Sequence, residues 1–139
     1  MYKNSKLFLQ MGPKNGKPLG EDDSPAVIGN DYLDFKNIDA IVKALDENEQ
    51  IVFTCEVMKQ NRFFMWQKRN LMLTTRRLCN LDGITLKRSI EIQKIKAITK
   101  SINAGSIEFI AHVEDEYDYR FNCRKRKELI QSIKQCFFA

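Results

Sequence analysis

A chain of 139 residues, 43% of them apolar, holds enough material for one domain with its own core, and a second full domain would not fit comfortably. No stretch approaches the roughly 20 apolar residues of a membrane-spanning helix, and the start, with Lys3, Asn4, Ser5 and Lys6 before a short apolar run, lacks a secretory h-region. The net charge of +5 is unevenly divided: residues 1–50 carry six Lys against nine Asp or Glu, whereas residues 51–139 carry 17 Lys or Arg against nine, which suggests an anionic partner for the second part, whether a membrane leaflet, a nucleic acid or an acidic protein surface.

Residues 1–34 contain all three prolines and most of the glycines, as in Gly12-Pro13 and Lys17-Pro18-Leu19-Gly20, and read as an irregular leader. Within it Lys6 to Met11 is an apolar stretch too short to fold alone, suited to docking on a partner or back onto the domain. From Phe35 the period becomes helical: Ile38, Ile41, Val42 and Leu45 recur at i, i+3, i+4 and i+7. A helix is expected over residues 35–48, ending near Glu47, with Asn37 or Asp34 as its N-cap and one apolar stripe that must pack on something.

After Gln50 the period changes to two and β-branched and aromatic residues dominate. Seven strands are expected, at about Ile51 to Gln60, Arg62 to Thr74, Arg77 to Leu81, Thr85 to Glu91, Ile95 to Ser101, Ile107 to Val113 and Tyr117 to Asn122. Asp82-Gly83 is a tight-hairpin signal, both residues accepting the positive φ of a type I′ turn. Asn103-Ala104-Gly105 and Glu114-Asp115-Glu116 read as further hairpin connections. Leu129, Ile130, Ile133, Cys136 and Phe137 make Arg124 to Phe138 an amphipathic terminal helix. Short links favour a meander, so the expected fold is mainly β: a seven-stranded antiparallel, partly open barrel over residues 49–139, capped by that helix, with an extra N-terminal helix.

The order of elements and the run Trp66-Gln67-Lys68-Arg69-Asn70-Leu71-Met72-Leu73 resemble the pleckstrin-homology superfamily. Ile90 to Ile98, and Tyr117-Asp118-Tyr119-Arg120-Phe121 before a basic helix start, are similar to the variant in the tails of class I myosins. The resemblance covers roughly residues 49–138. It implies a non-catalytic module that binds anionic phospholipid or phosphoinositide head groups with cations of the first strand, first loop and second strand. The matching positions here are Lys59, Arg62, Lys68 and Arg69, with Gln67 standing where a second basic residue is common. It implies a cytoplasmic setting, peripheral to a membrane or associated with the cytoskeleton. The alternative is a protein-interaction or scaffold role in a cytoskeletal or kinase-associated complex, because members of one fold differ in what they bind.

Strand alternation lets only one of Lys68 and Arg69 face such a site, and Arg69 is favoured because a guanidinium engages phosphate bidentately. Alternation also prevents Phe63, Phe64, Met65 and Trp66 from all being buried on one face. Phe63 or Phe64 inserts at a lipid interface, or the helix at residues 35–47 covers them; cover is the simpler expectation. Arg124-Lys125-Arg126-Lys127 opposes the macrodipole at a helix start, so neutralisation by Glu114, Asp115, Glu116 and Asp118 is expected ahead of an anionic partner.

Other chemistry is weakly signalled. His112 is the only histidine, set in an apolar strand, and is expected to be packed or singly hydrogen-bonded. Cys55, Cys79, Cys123 and Cys136 stand singly without a CxxC pair, so neither metal nor cofactor is expected and the thiols are read as reduced and buried. Aromatics interleave with cations as in single-strand nucleic-acid binders, but the acidic first third and acidic last hairpin interrupt a basic track, so nucleic acid is not the expected partner.

Overall fold

The period-two segments all become strands in the computed structural model, which describes the backbone of residues 6–10 and the whole of residues 29–139. Most of the leader expected over residues 1–34 lies outside the described residues. The strands are β1 (Lys6–Gln10), β2 (Ile51–Gln60), β3 (Trp66–Thr74), β4 (Arg77–Asp82), β5 (Thr85–Glu91), β6 (Ile95–Ser101), β7 (Glu108–Val113) and β8 (Tyr119–Asn122). They form one antiparallel sheet in the order β1-β6-β7-β8-β2-β3-β4-β5. Strands β2 to β8 are the seven expected; β1 is an eighth, pairing Phe8 with Thr99 on the edge of β6.

Two meanders, β2 to β5 and β6 to β8, are joined where β2 and β8 share the pairs Met58↔Asn122 and Lys59↔Phe121. A 3-10 turn at Ile92–Lys94 carries the chain from β5 to β6. Those two strands are not paired, and there the barrel stays open. Inward residues alternate as pleating demands: Phe53, Cys55 and Val57 on β2, Leu71 and Leu73 on β3, Phe109, Ala111 and Val113 on β7, Tyr119 and Phe121 on β8. Helix α2 (Arg126–Phe137) lays Leu129, Ile130, Ile133 and Phe137 onto this core. Truncating a buried aromatic such as Phe109 to Ala costs about 3–5 kcal/mol in such a setting. The Sγ atoms of Cys55 and Cys123 lie 3.4 Å apart inside it, as free thiols.

Three local expectations are corrected. The helix expected over residues 35–48 is broken into a 3-10 turn, Phe35–Asn37, and a short helix α1, Asp39–Lys43, with Ile38 extended between them. The reason is geometric: six residues apart on one helix, Phe35 and Ile41 would point about 120° apart. The break lets both bury against Met72, Cys79 and Leu81 on the outer face of β3 and β4. Asp34 stands at the N-cap position of the 3-10 turn, but neither its side chain nor that of Asn37 caps the backbone amides. Asp31 does so, its carboxylate accepting hydrogen bonds from the Phe35 and Lys36 amides and from Thr54 Oγ1 at 2.9, 2.9 and 2.6 Å. The segment from Gly29 is therefore already bonded to β2, where Asp31 also forms a parallel bridge with Thr54.

The hairpin turn after β4 is shifted by one residue. Asp82 pairs with Thr85, so the loop is Gly83-Ile84, and Gly83 alone has positive φ, at 60°. That arrangement is the one a type II′ turn uses, glycine first.

Candidate functional site

Where strands run past the core, inward positions become available to solvent, and here they carry charge. On β2, Val57 points into the core and Lys59, two residues on, shares its face. Cross-strand, Arg69 lies opposite Val57 and Gln67 opposite Lys59. Lys59 and Arg69 thus reach the same cavity of about 900 Å³, together with Gln67, Asn80, Lys87, Arg88, Lys96 and the β7–β8 loop.

Each wall has a structural cause. Arg69 is oriented by its neighbours: its guanidinium donates to the Lys68 carbonyl at 2.8 Å and to Gln67 Oε1 at 3.3 Å. Gln67 thereby helps to hold Arg69 in place. Arg88 on β5 is directly opposite Asn80 on β4. Its guanidinium stacks over the rings of Tyr119 and Tyr117, 3.7 and 4.2 Å from their centroids, and donates to the Tyr117 carbonyl at 2.8 Å. Burial, then the charges of Arg88 and Arg69, lower the pKa of Lys59. An anion in the cavity would relieve that repulsion.

The remaining wall is acidic. Asp115, Glu116 and Asp118 line the cavity from the β7–β8 loop, Glu116 standing 3.7 Å from Arg88. This loop is tied to the sheet through His112, whose Nδ1 meets Asp118 Oδ2 at 2.8 Å and whose Nε2 meets Thr99 Oγ1 at 2.6 Å. His112 is therefore bonded on both ring nitrogens, not packed or singly bonded. The acidic loop is thereby committed at this end of the barrel. The expected neutralisation of Arg124 to Lys127 does not occur. Arg126 instead donates to the carbonyls of Ser101 and Glu108, each at 2.8 Å, and Lys125 sits 3.9 Å over the Tyr32 ring. Arg124 and Lys127 are exposed.

The other proposed cations separate. Lys68 points to the opposite face and pairs with Glu56 at 3.2 Å, both exposed. Arg62 does not open a strand, because β3 begins only at Trp66. It lies in the β2–β3 loop, 5.0 Å over the ring of Phe63, and is not among the residues lining the cavity.

That loop also corrects the expected cover of the aromatics. Asn61 Oδ1 accepts from the amides of Phe63 and Met65 at 2.8 and 3.0 Å, and the Asn61 backbone bonds Met65 and Phe64. Phe64 is held at φ 63°, a conformation rare for a bulky residue. The helical segment packs elsewhere, so Phe63, Phe64 and Met65 stand 69%, 77% and 63% exposed, with Trp66 beside them. The result is an apolar tip beside a cationic cavity.

Lys87, Arg88 and Lys96 also line the cavity and are not among the cations that the resemblance implies. For Arg88 a signal existed: it is two residues before Ile90, which is buried, and so shares the inward face. Among the described residues no group of three or more His, Cys, Asp or Glu side chains could hold a metal ion, and no helix is long and apolar enough to cross a membrane.

A family described as "Unconventional myosin tail, actin- and lipid-binding" matches residues 29–138. The fold is similar to that of the C-terminal PH domain of human pleckstrin, at 18% identity and a TM-score of 0.55 over 67% of this chain and 85% of that one. It is also similar to the C-terminal domain of an unknown protein from Leishmania infantum, at 15% identity and a TM-score of 0.55, covering 66% and 86%. A third similar structure is the Slm1-PH domain in complex with inositol-4-phosphate, at 10% identity and a TM-score of 0.51, covering 63% and 94%. No curated protein sequence matches the chain.

Proposed function

Because the chain belongs to the unconventional myosin tail family, described as actin- and lipid-binding, we propose that it is a non-catalytic module that grips phosphoinositide head groups and so recruits its assembly to an anionic membrane surface. The observation that carries this reading is the convergence of Lys59, Arg69 and Arg88 on one cavity, flanked by Lys87 and Lys96, beside the exposed Phe63-Phe64-Met65 tip. Cations there take the phosphates while the tip enters the interfacial region of the leaflet. The three carboxylates of the β7–β8 loop limit how much negative charge the cavity accepts, which favours a head group with few phosphates. The setting is cytoplasmic and peripheral, where anionic lipids are presented.

The test is co-sedimentation with vesicles of phosphatidylcholine alone, and with phosphatidylserine or a phosphatidylinositol phosphate added, across a salt series. Binding that requires the anionic lipid and weakens with salt supports the reading. Equal recovery with neutral vesicles, or none with any, refutes it.

A second reading, docking to an acidic protein surface in a cytoskeletal complex, is favoured by the exposed Arg124 and Lys127, which the acidic loop leaves unneutralised. Co-sedimentation with actin filaments should then fall in the R124E/K127E variant while vesicle binding persists.

A further inference from the structure

We propose that Cys55 and Cys123 form an oxidisable dithiol site, which takes a hydroperoxide through a cavity beside Cys55 and closes to a disulfide joining β2 to the entry of α2. The Sγ atoms lie 3.4 Å apart, Cys55 on β2 and Cys123 between β8 and α2. Two sulfurs already in contact need no large displacement to bond. β2 and β8 pair only at Met58↔Asn122 and Lys59↔Phe121. Beside that short seam is a cavity of about 440 Å³, lined by Cys55, Met58, Ile107, Asn122, Arg124 and Lys125 among others. It shares no lining residue with the cationic cavity, so the inference stands apart from the reading above.

Buried thiols are ordinarily inert, and reactive ones sit in electropositive surroundings that a reagent can reach. Cys55 lines a cavity that also carries Arg124 and Lys125. The hydrogen bond from Cys55 holds Cys123 below the ordinary thiol range against its burial, helped by the Lys125 amide and the charges of Lys125 and Arg126. The same bond, with burial, raises Cys55, so one lost proton leaves an S–H···S⁻ pair with its charge on Cys123. The other thiols lack this arrangement. Cys79 meets a hydroxyl, Ser89 Oγ at 3.9 Å, and burial pushes Cys136 up to about 11.

The chemistry balances in two steps. As the Cys55 proton passes to Cys123, the Cys55 sulfur attacks one peroxide oxygen, the O–O bond breaks, and hydroxide leaves from a Cys55 sulfenic acid. The Cys123 sulfur then attacks the oxidised sulfur, the S–O bond breaks, and water departs. Hydroxide takes up the first proton lost, so two thiols and one hydroperoxide give one disulfide and two waters, or one water and an alcohol from an alkyl hydroperoxide.

The experiment treats the reduced full chain with hydrogen peroxide in slight excess near neutral pH. Two of the four thiols should disappear, at least about tenfold faster than Cys136 reacts. A non-reducing peptide map should then show the Cys55 and Cys123 peptides linked with the loss of two hydrogens, and dithiothreitol should restore both. The bridge spans 68 positions, so the oxidised chain should melt at least about 5 °C higher than the reduced one. In C123S the sulfenic acid has no resolving thiol, and dimedone should label Cys55. A bridge to Cys79 or Cys136, or Cys55 and Cys123 still free when Cys136 is oxidised, overturns the site. An equal or lower melting temperature refutes the joining of β2 to α2, and a folded C123S chain without label at Cys55 refutes the order of attack. The parent chain's own map decides the site whether or not C123S folds.

Discussion

Reversing the charge of Lys59 and Arg69 together should abolish vesicle binding, whereas reversing Lys68, their neighbour in sequence, should not. Lys59 and Arg69 line one cavity, but Lys68 is on the opposite face and paired with Glu56. A cation near an anionic leaflet contributes about 1 kcal/mol, so neutralising both as K59Q/R69Q costs about 2 kcal/mol and reversing both as K59E/R69E about 4 kcal/mol. Those figures correspond to about thirtyfold and about a thousandfold in affinity. The assay is co-sedimentation with phosphoinositide-containing vesicles at about 0.1 M salt, where exposed charges beyond about 10 Å are already screened. Thermal unfolding supplies the control. Because burial and the charges of Arg88 and Arg69 lower the pKa of Lys59, removing its charge should leave the melting temperature unchanged or raise it. The reasoning is refuted if K68E weakens binding as much as R69E, or if K59Q/R69Q folds and binds like the parent chain.

Replacing Phe63 and Phe64 with Ser should leave the fold intact, since neither is buried, and weaken vesicle binding by tenfold or more, at about 2 kcal/mol for each ring transferred. Trp66, the only tryptophan, adjoins the tip, and its emission should shift to the blue on anionic vesicles in the parent chain alone; an unshifted parent spectrum counts against insertion. Glu49 is buried, and although burial favours its protonated form, hydrogen bonds from Arg77, Thr74 and the Asp46 amide outweigh this and hold its pKa below the ordinary value. A depressed carboxylate contributes stability that is complete above the unfolded pKa and is lost as pH falls through the folded one. E49Q should therefore lose about 3 kcal/mol in urea unfolding near neutrality and show a shallower acid decline; an unaltered acid limb would contradict the assignment. At Gly29 an added Cβ would stand 1.9 Å from the Val52 carbonyl oxygen, so Gly29→Ala should cost about 1–3 kcal/mol by pushing the segment off β2. A parental unfolding midpoint would show that the close approach is not required.

How far the fold was legible can be judged on particular segments. Ile51 to Gln60, Thr85 to Glu91 and Ile95 to Ser101 are strands with the bounds expected from alternation, because a two-sided strand writes its inward face into every second residue. The break in the segment at Phe35 is not legible, because a helical period cannot reveal that Phe35 and Ile41 must reach one flat sheet face, which demands a break at Ile38. The residue types of Phe63 to Met65 favour β structure and so point to a strand. What removed them was Asn61, whose side chain closes the loop against two later amides. In the candidate site, alternation alone separated Lys68 from Arg69. Arg88, Lys87 and Lys96 come from strands distant in sequence from Lys59 and could be joined to it only by the sheet order.

Sequence by itself determined the strand count of the barrel, the closing helix and the family resemblance, because these depend on local period and residue type, which each segment carries within itself. Tertiary structure alone decided which charges share a cavity, that the acidic loop faces Arg88 and is tied through His112 and not spent on Arg124 to Lys127, and that the aromatic tip is bare. The physical reason is that electrostatic and hydrogen-bond partnerships act over a few ångströms of space, and the closure between β2 and β8 together with the opening between β5 and β6 sets those distances with no counterpart in linear spacing.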